Sequence, residues 1–171
     1  MREARAAADV PIDTSRLSLA ELKRLLQARF GRRDERRMTI SLVSFAFREG
    51  LPREADMVFD VRFLRNPHYD DALRPLTGLD GAVQEHVAAD PAFAPFFEGV
   101  TGLLLLLLPR YLAEGKSYLT IAIGCTGGRH RSVTLACAIF EHLKPRNKWV
   151  HLLHRDIEKD EEARAVDAHA S

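Results

Sequence analysis

The sequence has few cysteines and almost no excess of one charge. Its only cysteines, Cys125 and Cys137, cannot form a disulfide framework, and we expect free thiols in a reducing compartment. The 25 basic and 24 acidic side chains leave a net charge of +1, so no overall field attracts nucleic acid or an anionic membrane. Any binding of anions must therefore come from a local cluster of basic groups.

Long hydrophobic runs are also scarce. The first fifteen residues contain no apolar segment of the kind found in signal peptides. The longest apolar run, Val100–Leu108, is nine residues long and ends at Pro109, which is too short to span a bilayer. We interpret this run as a fully buried core helix. The sequence thus predicts a cytoplasmic chain with no membrane partner.

Hydrophobic periodicity predicts an α/β domain with a mainly parallel sheet flanked by helices. Apolar, β-branched segments indicate strands at 38–47, 57–61, 118–123 and 149–154. Helical spacing of apolar residues indicates helices at 81–89, 91–113 and 130–143. The strand over 118–123 is the clearest, because it is continuous and apolar like a buried parallel strand.

Two further segments flank this domain. Ser18 and Glu21 form a capping box for an amphipathic helix that ends at Gly31, and the charged stretch over 32–37 suits a linker. Beyond residue 157 the sequence is acidic and rich in alanine. We therefore divide the chain into three parts: 1–37, 38–157 and 158–171.

One loop combines glycines and basic residues at the end of the clearest strand. It spans 124–132 and leads into a predicted helix, and ligands bind at this edge of open α/β sheets. Gly127 and Gly128 let the backbone turn tightly, so that its N–H groups and the helix N-terminus form a nest for an anion. Arg131 is suited to bind a phosphate through two hydrogen bonds. The sequence therefore predicts a phosphate-binding loop at the C-terminal edge of the sheet.

The same loop permits a second interpretation, catalysis by a cysteine-dependent phosphatase. Cys125, five further residues and Arg131 resemble the signature loop of that family, in which the thiolate attacks phosphorus and the arginine holds the phosphoryl oxygens. A helix N-terminus and adjacent arginines favour a thiolate. The histidine that usually precedes the phosphatase cysteine is Gly124 here. A binding loop with an incidental cysteine explains the same residues, so both interpretations stay open. The general acid that a phosphatase needs would be one of four aspartates: Asp60, Asp70, Asp71 or Asp80.

Longer motifs carry a more specific resemblance. They are the segments Phe59–His68, Leu76–Asp80 and Gly124–Val133. From about Ile40 to about Ile157, the sequence resembles the C-terminal domain of the RapZ/YvcJ family of bacterial proteins. The resemblance implies a regulatory domain of the same α/β type.

Members of that family carry a P-loop nucleotide-binding domain in their N-terminal half. Residues 12–15 and 21–23 resemble the very end of that half, so we interpret 1–37 as the end of a P-loop domain plus a linker. No G-x-x-x-x-G-K-[ST] motif occurs in this sequence, and nucleotide binding is not predicted for it. The chain is either a fragment or a shortened relative, and the partial end of another domain favours a fragment.

The resemblance implies a ligand and a set of ligand-binding residues. The family's C-terminal domain senses glucosamine-6-phosphate, a phosphorylated amino sugar, and is regulatory rather than catalytic. We expect no cofactor, no metal and no catalytic residue. The implied ligand residues are Cys125, Thr126, Gly127, Gly128, His130, Arg131, Ser132 and His68.

Further candidates follow from their position beside a neighbouring strand, where carboxylates and amides could bind sugar hydroxyls or an ammonium group. Each has a structural alternative: capping of a turn, an ion pair, turn chemistry or an N-cap. These candidates are Asp60, Arg62, Asn66, Thr77 and Asp80.

The best-known relative also binds a small regulatory RNA and presents it to an endoribonuclease. RNA binding needs clustered lysines and arginines, and this chain offers a small basic patch of Lys144, Arg146 and Lys148. The tail, which is basic in that relative, is acidic here. A role as RNA or protein adaptor is thus a weaker expectation than metabolite binding, and an RNA adaptor without metabolite sensing is a further alternative. The resemblance also implies a homo-oligomer.

Overall fold

The computed structural model describes residues 38–147 and 149–158. Several predictions concern residues outside this range. They are the helix after Ser18, the linker over 32–37, Lys148 and most of the acidic tail. The division of the chain into 1–37, 38–157 and 158–171 stays a prediction.

The described residues form a four-stranded parallel sheet and three helices. The strands are β1 (Thr39–Ala46), β2 (Met57–Asp60), β3 (Tyr118–Cys125) and β4 (Val150–His154), in the order β2-β3-β1-β4. The helices are α1 (Gly81–Ala88), α2 (Phe93–Ala113) and α3 (Arg131–Leu143). The predicted α/β fold with a parallel sheet is confirmed.

One face of the sheet packs against the helices and forms the core. Successive strand residues point to opposite faces, so alternate residues of β1 and β3 point into this core. The core residues of these two strands and of α3 are fully or almost fully buried: Ile40, Leu42, Leu119, Ile121, Ile123, Leu135, Ile139 and Leu143. The sheet is thereby fixed to α3, the helix that begins directly after the predicted loop.

The register brings the carboxyl ends of three strands together. Ala46 at the end of β1 lies beside Cys125 at the end of β3, and Asp60 at the end of β2 lies beside Gly124. The backbone N–H of Val61 donates to the Gly124 carbonyl at 2.9 Å and continues this pairing past β2. The loops that follow these strands therefore meet at one edge, as the sequence predicted.

The interpretation of Val100–Leu108 as a fully buried helix is wrong. The run lies in α2, where Val100, Thr101 and Leu104 are buried, but Leu106 is 58% exposed. The helix packs mainly against α1 and α3, so only one stripe of it faces the core. By length and composition alone α2 could cross a membrane, although its inner stripe belongs to the core of the domain.

Candidate functional site

The backbone of the loop over 124–132 is held close to the end of β1 by Gly128. Its φ of 67° lies in the left-handed region, and a Cβ at this position would stand 2.8 Å from the backbone nitrogen of Ala46. Only glycine can adopt this φ without strain and leave this space free of a Cβ. The glycine predicted to allow a tight turn thus also allows close contact with the neighbouring strand.

Several backbone N–H groups of this loop have no hydrogen-bond acceptor among residues 38–147 and 149–158. Among the described residues, no acceptor pairs with the N–H groups of Thr126, Gly127 and Gly128. The loop leads directly into α3, whose first N–H groups also lack intrahelical acceptors. Unpaired N–H groups and a helix N-terminus at one place form the kind of nest that binds an anion.

Arg131 is buried beside this nest and spans two loops. Its Nη1 donates to the carbonyls of Arg62 at 2.6 Å and Leu64 at 3.2 Å, and its Nη2 donates to Thr126 Oγ1 at 3.3 Å. The side chain is only 6% exposed, and among the described residues its Nε–H has no acceptor. Arg131 therefore anchors the loop after β2 through Nη1, while Nε remains a buried donor without a partner.

The thiol of Cys125 faces a hydroxyl across the loop. Cys125 is 3% exposed, and its Sγ lies 3.1 Å from Ser132 Oγ, in the first turn of α3. Both side chains are buried, so this pair joins the end of β3 to the first turn of α3. The predicted cysteine and serine are thus brought together by the structure.

His130 and its neighbour Arg129 lock the loop to a second loop over 75–78. His130 Nε2 lies 2.8 Å from the Leu76 carbonyl, and Arg129 donates to the carbonyls of Leu76 at 3.0 Å and Pro75 at 2.7 Å. The Gly78 N–H in turn donates to the Arg129 carbonyl at 2.9 Å. The His130 ring therefore makes a structural contact where the sequence predicted a ligand contact.

Asp60 and Arg62 form an exposed ion pair at the end of β2. Arg62 Nη2 lies 2.7 Å from Asp60 Oδ2, and the guanidinium stacks over the Phe47 ring at 4.2 Å. The hydrogen bond from Arg62 holds the pKa of Asp60 below its usual value, and the positive charge of Arg131 adds to this. Both side chains are exposed, so the predicted ion pair exists at a place that a ligand could reach.

The remaining candidates have local structural contacts. Asn66 Oδ1 accepts the His68 N–H at 3.3 Å and caps a 3₁₀ turn, Pro67–Tyr69. The exposed His68 ring packs edge-on against Tyr69, and it makes no hydrogen bond to the loop over 124–132 within the described part of the chain.

Thr77 and Asp80 also bond to each other. Asp80 Oδ2 accepts from the Thr77 N–H at 2.7 Å and from its hydroxyl at 2.9 Å, which holds the pKa of Asp80 below its usual value. Asp80 stands at the N-cap of α1, but its side chain makes no capping hydrogen bond to that helix. The pair instead shapes the loop that Arg129 and His130 contact.

Comparison with known proteins identifies the family. The profile of the RapZ C-terminal domain matches residues 38–158, which is more than two thirds of the chain. The chain belongs to the RapZ C-terminal domain family. The parallel sheet and the loop at its carboxyl edge are therefore this chain's form of a RapZ C-terminal domain.

Similar curated proteins are bacterial and carry the name nucleotide-binding protein. One from Paramagnetospirillum magneticum is 56% identical over 152 residues, which cover 89% of this chain and 50% of the relative. One from Gluconobacter oxydans is 60% identical over 131 residues, 77% of this chain and 41% of the relative. One from Anaeromyxobacter sp. (strain K) is 50% identical over 160 residues, which cover 94% of this chain and 54% of the relative. The chain spans about half the length of these relatives.

The candidate RNA-binding patch of this RapZ C-terminal domain lies at the far end of α3 from the loop. Lys144 Nζ lies 4.0 Å from Glu141 and 5.3 Å from the centre of the Phe140 ring, and Arg146 Nη1 donates to the His142 carbonyl at 2.7 Å. The helix has 13 residues, so about 20 Å separates the two ends. The two described members of the patch therefore stabilise the end of the helix and lie apart from the anion nest.

Sequence reasoning missed some groups that build the site. Arg129 and Arg131 donate to backbone carbonyls of other loops, and no residue pattern distinguishes these carbonyls. Phe47, whose ring contacts the Arg62 guanidinium, was also missed. It directly follows β1. Because the carboxyl ends of parallel strands meet at one edge of the sheet, its position in the sequence could have indicated that it lies near the site.

A half-buried histidine predicts a dependence of stability on pH. His154 Nδ1 lies 2.8 Å from Ser44 Oγ, and its Nε2 lies 3.8 Å from Cys137 Sγ. Burial lowers the pKa of His154 below its usual 6.5. Below pH 6.5 the unfolded chain therefore binds a proton that the folded chain does not, and the free energy of unfolding falls as the pH drops.

Urea denaturation at pH 7.5 and pH 5.5 measures this loss. His154→Gln is expected to reduce the difference between the two pH values. His151→Gln, at an exposed position of the same strand, is the control and is expected to keep it. An equal pH dependence in both variants would show that His154 does not cause the loss.

Proposed function

We propose that this domain binds a phosphorylated amino sugar of the glucosamine-6-phosphate type and acts as a cytoplasmic regulatory domain rather than as an enzyme. Membership of the RapZ C-terminal domain family supports a regulatory role. The observation that carries the proposal is the buried Nε–H of Arg131, which, like the neighbouring loop N–H groups, has no acceptor in the part of the chain that the structure describes.

A buried donor without a partner is costly, about 1–3 kcal/mol for a group of this kind. Arg131 keeps this donor although its Nη1 is used by two carbonyls. Nε and Nη2 lie along one edge of the guanidinium, and this edge matches two oxygens of a phosphate. A bound phosphate would satisfy Nε and the loop N–H groups together.

The amino-sugar part of the proposal rests on Asp60. Its pKa is held low by Arg62, so its carboxylate is charged at neutral pH. A charged carboxylate accepts hydrogen bonds from sugar hydroxyls and pairs with an ammonium group. Asp60 follows β2 next to Gly124, where a sugar attached to the bound phosphate would extend from the loop.

Phosphatase chemistry has less support from the same residues. A general acid must be protonated at the working pH, which requires a raised pKa. The pKa of Asp60 is lowered by its hydrogen bond from Arg62, and that of Asp80 by its backbone hydrogen bond from Thr77. These contacts favour binding without turnover.

Thermal denaturation with a series of sugar phosphates tests the proposal. Glucosamine-6-phosphate is expected to raise the melting temperature at millimolar concentrations, because a ligand that binds only the folded state stabilises it. Glucosamine, which lacks the phosphate, is the matched control and is expected to give no shift. No shift with any sugar phosphate would contradict the proposal.

An assay for phosphate hydrolysis distinguishes binding from catalysis. We expect no hydrolysis of an aryl phosphate by the unmodified chain. Turnover that Cys125→Ser abolishes would instead assign the phosphatase function to the loop.

A further inference from the structure

The chain directly after β4 contacts the end of β1. Asp156 is almost fully buried, at 1% exposed, and its Oδ2 accepts the Ala46 N–H at 2.9 Å. Arg155, the residue before it, donates to the same carboxylate oxygen through Nε at 2.9 Å and Nη2 at 2.7 Å. Arg155 also donates to the Gly50 carbonyl at 2.8 Å. Burial of a charged carboxylate is costly, and these hydrogen bonds compensate for it.

The bond from Ala46 to Asp156 takes the place of a backbone bond in the sheet. Ser44 bonds towards β4, since its carbonyl accepts the Arg155 N–H at 3.0 Å. Alternate residues of a strand bond to the same side, so the Ala46 N–H also points in this direction. The strand β4 has already ended at His154. The Asp156 carboxylate therefore supplies the acceptor that fixes the last residue of β1.

Ala46 is also the contact point of the loop over 124–132. A Cβ at Gly128 would stand 2.8 Å from the Ala46 nitrogen, which is the atom that donates to Asp156. The chain after β4 reaches the loop a second time, because Arg129 Nη1 donates to the Ile157 carbonyl at 3.4 Å. This segment thus holds both the strand end against which the loop packs and a side chain of the loop itself.

We propose that Asp156 is a positioning residue for the anion nest: its carboxylate fixes the end of β1 and thereby sets where the N–H groups of Gly127 and Gly128 stand. The inference rests on the proposed function wherever a ligand is the readout. The sign of the effect on affinity identifies the role. Removal of a negative charge near an anion site strengthens anion binding if charge alone matters. A positioning role predicts weaker binding, because the N–H groups leave their places.

Titration calorimetry with glucosamine-6-phosphate on the full 171-residue chain measures this sign. Asp156→Ala is expected to weaken binding about ten-fold or more, because the hydrogen bonds from the loop to the phosphate lose their geometry. Asp156→Asn keeps an oxygen for the Ala46 N–H without the charge, so it is expected to restore most of the affinity. Circular dichroism verifies folding. Asp156→Glu, which keeps the charge but displaces it by one methylene group, replaces the alanine variant if that variant does not fold.

Asp56 offers a matched control near the amino ends of β2 and β3. Its carboxylate also accepts a strand N–H, from Thr120 at 2.9 Å, and it also forms an ion pair, with Lys116 at 2.6 Å. Asp56→Ala removes the same kinds of bond at a distance from the loop. It is therefore expected to lower the free energy of unfolding and to leave the affinity unchanged.

A second readout needs no ligand. In ¹H–¹⁵N spectra of the free chain, the amide signals of Gly127 and Gly128 are expected to move in Asp156→Ala and to stay in place in Asp56→Ala. An unmodified chain that binds no sugar phosphate contradicts the proposed function, and these signals then decide the role of Asp156. Three results would each overturn that role: unchanged or tighter binding in Asp156→Ala, an equal loss of affinity in Asp156→Asn, or glycine signals that do not move.

Discussion

Replacement of Gly128 with alanine is expected to lower the free energy of unfolding by about 3 kcal/mol or more. Two costs add at this position. The φ of 67° is unfavourable for any residue with a Cβ, and the new Cβ would stand 2.8 Å from the Ala46 nitrogen and 3.0 Å from the Phe45 carbonyl carbon. Both neighbours are backbone atoms of a central strand, so neither can move without disturbing the sheet.

Gly115→Ala separates the two costs. Gly115 has a similar φ of 82°, but a Cβ there would meet no atom within 4 Å. Only the backbone cost applies, and the expected loss is about 1–2 kcal/mol. Urea denaturation of both variants measures the difference. Equal losses would mean that the loop does not need its close approach to β1.

The fold was predicted well where burial on both sides leaves a continuous apolar segment. The prediction at 118–123 located β3, because a central parallel strand has no polar face to obscure it. The error concerned α2, whose leucines were interpreted as fully buried. Composition shows that a helix is apolar but not how many elements pack around it, and among the described elements α2 packs mainly against α1 and α3.

The loop predicted at the end of the clearest strand is present, but the contacts of its basic residues were not predicted. The loop over 124–132 stands where a strand, two glycines and a helix predicted it. His130 and Arg129 were interpreted as groups for an anion, whereas they contact carbonyls more than fifty residues away in sequence. Every residue has a carbonyl, so the sequence cannot show which ones a long side chain will meet after folding.

Arg131→Lys is expected to lower the affinity for a sugar phosphate by about 100-fold, because two charge-assisted hydrogen bonds from one edge of the guanidinium would be lost. Lysine carries the same charge but presents a single ammonium group, which cannot reach the carbonyls of Arg62 and Leu64 and the phosphate together. The variant is also expected to lose stability, since these carbonyls tie the loop after β2 to the site. Titration calorimetry with glucosamine-6-phosphate measures the affinity of the folded variant.

Arg129→Lys provides a control for the structural part of this effect. Arg129 is as buried as Arg131, at 4% against 6% exposed, and it also donates to backbone carbonyls. Its substitution is therefore expected to reduce stability while leaving most of the affinity. An affinity loss of the same size in both variants would mean that the arginines act only by holding the loops. A loss confined to Arg131→Lys would assign the phosphate to the guanidinium whose Nε has no acceptor within residues 38–147 and 149–158.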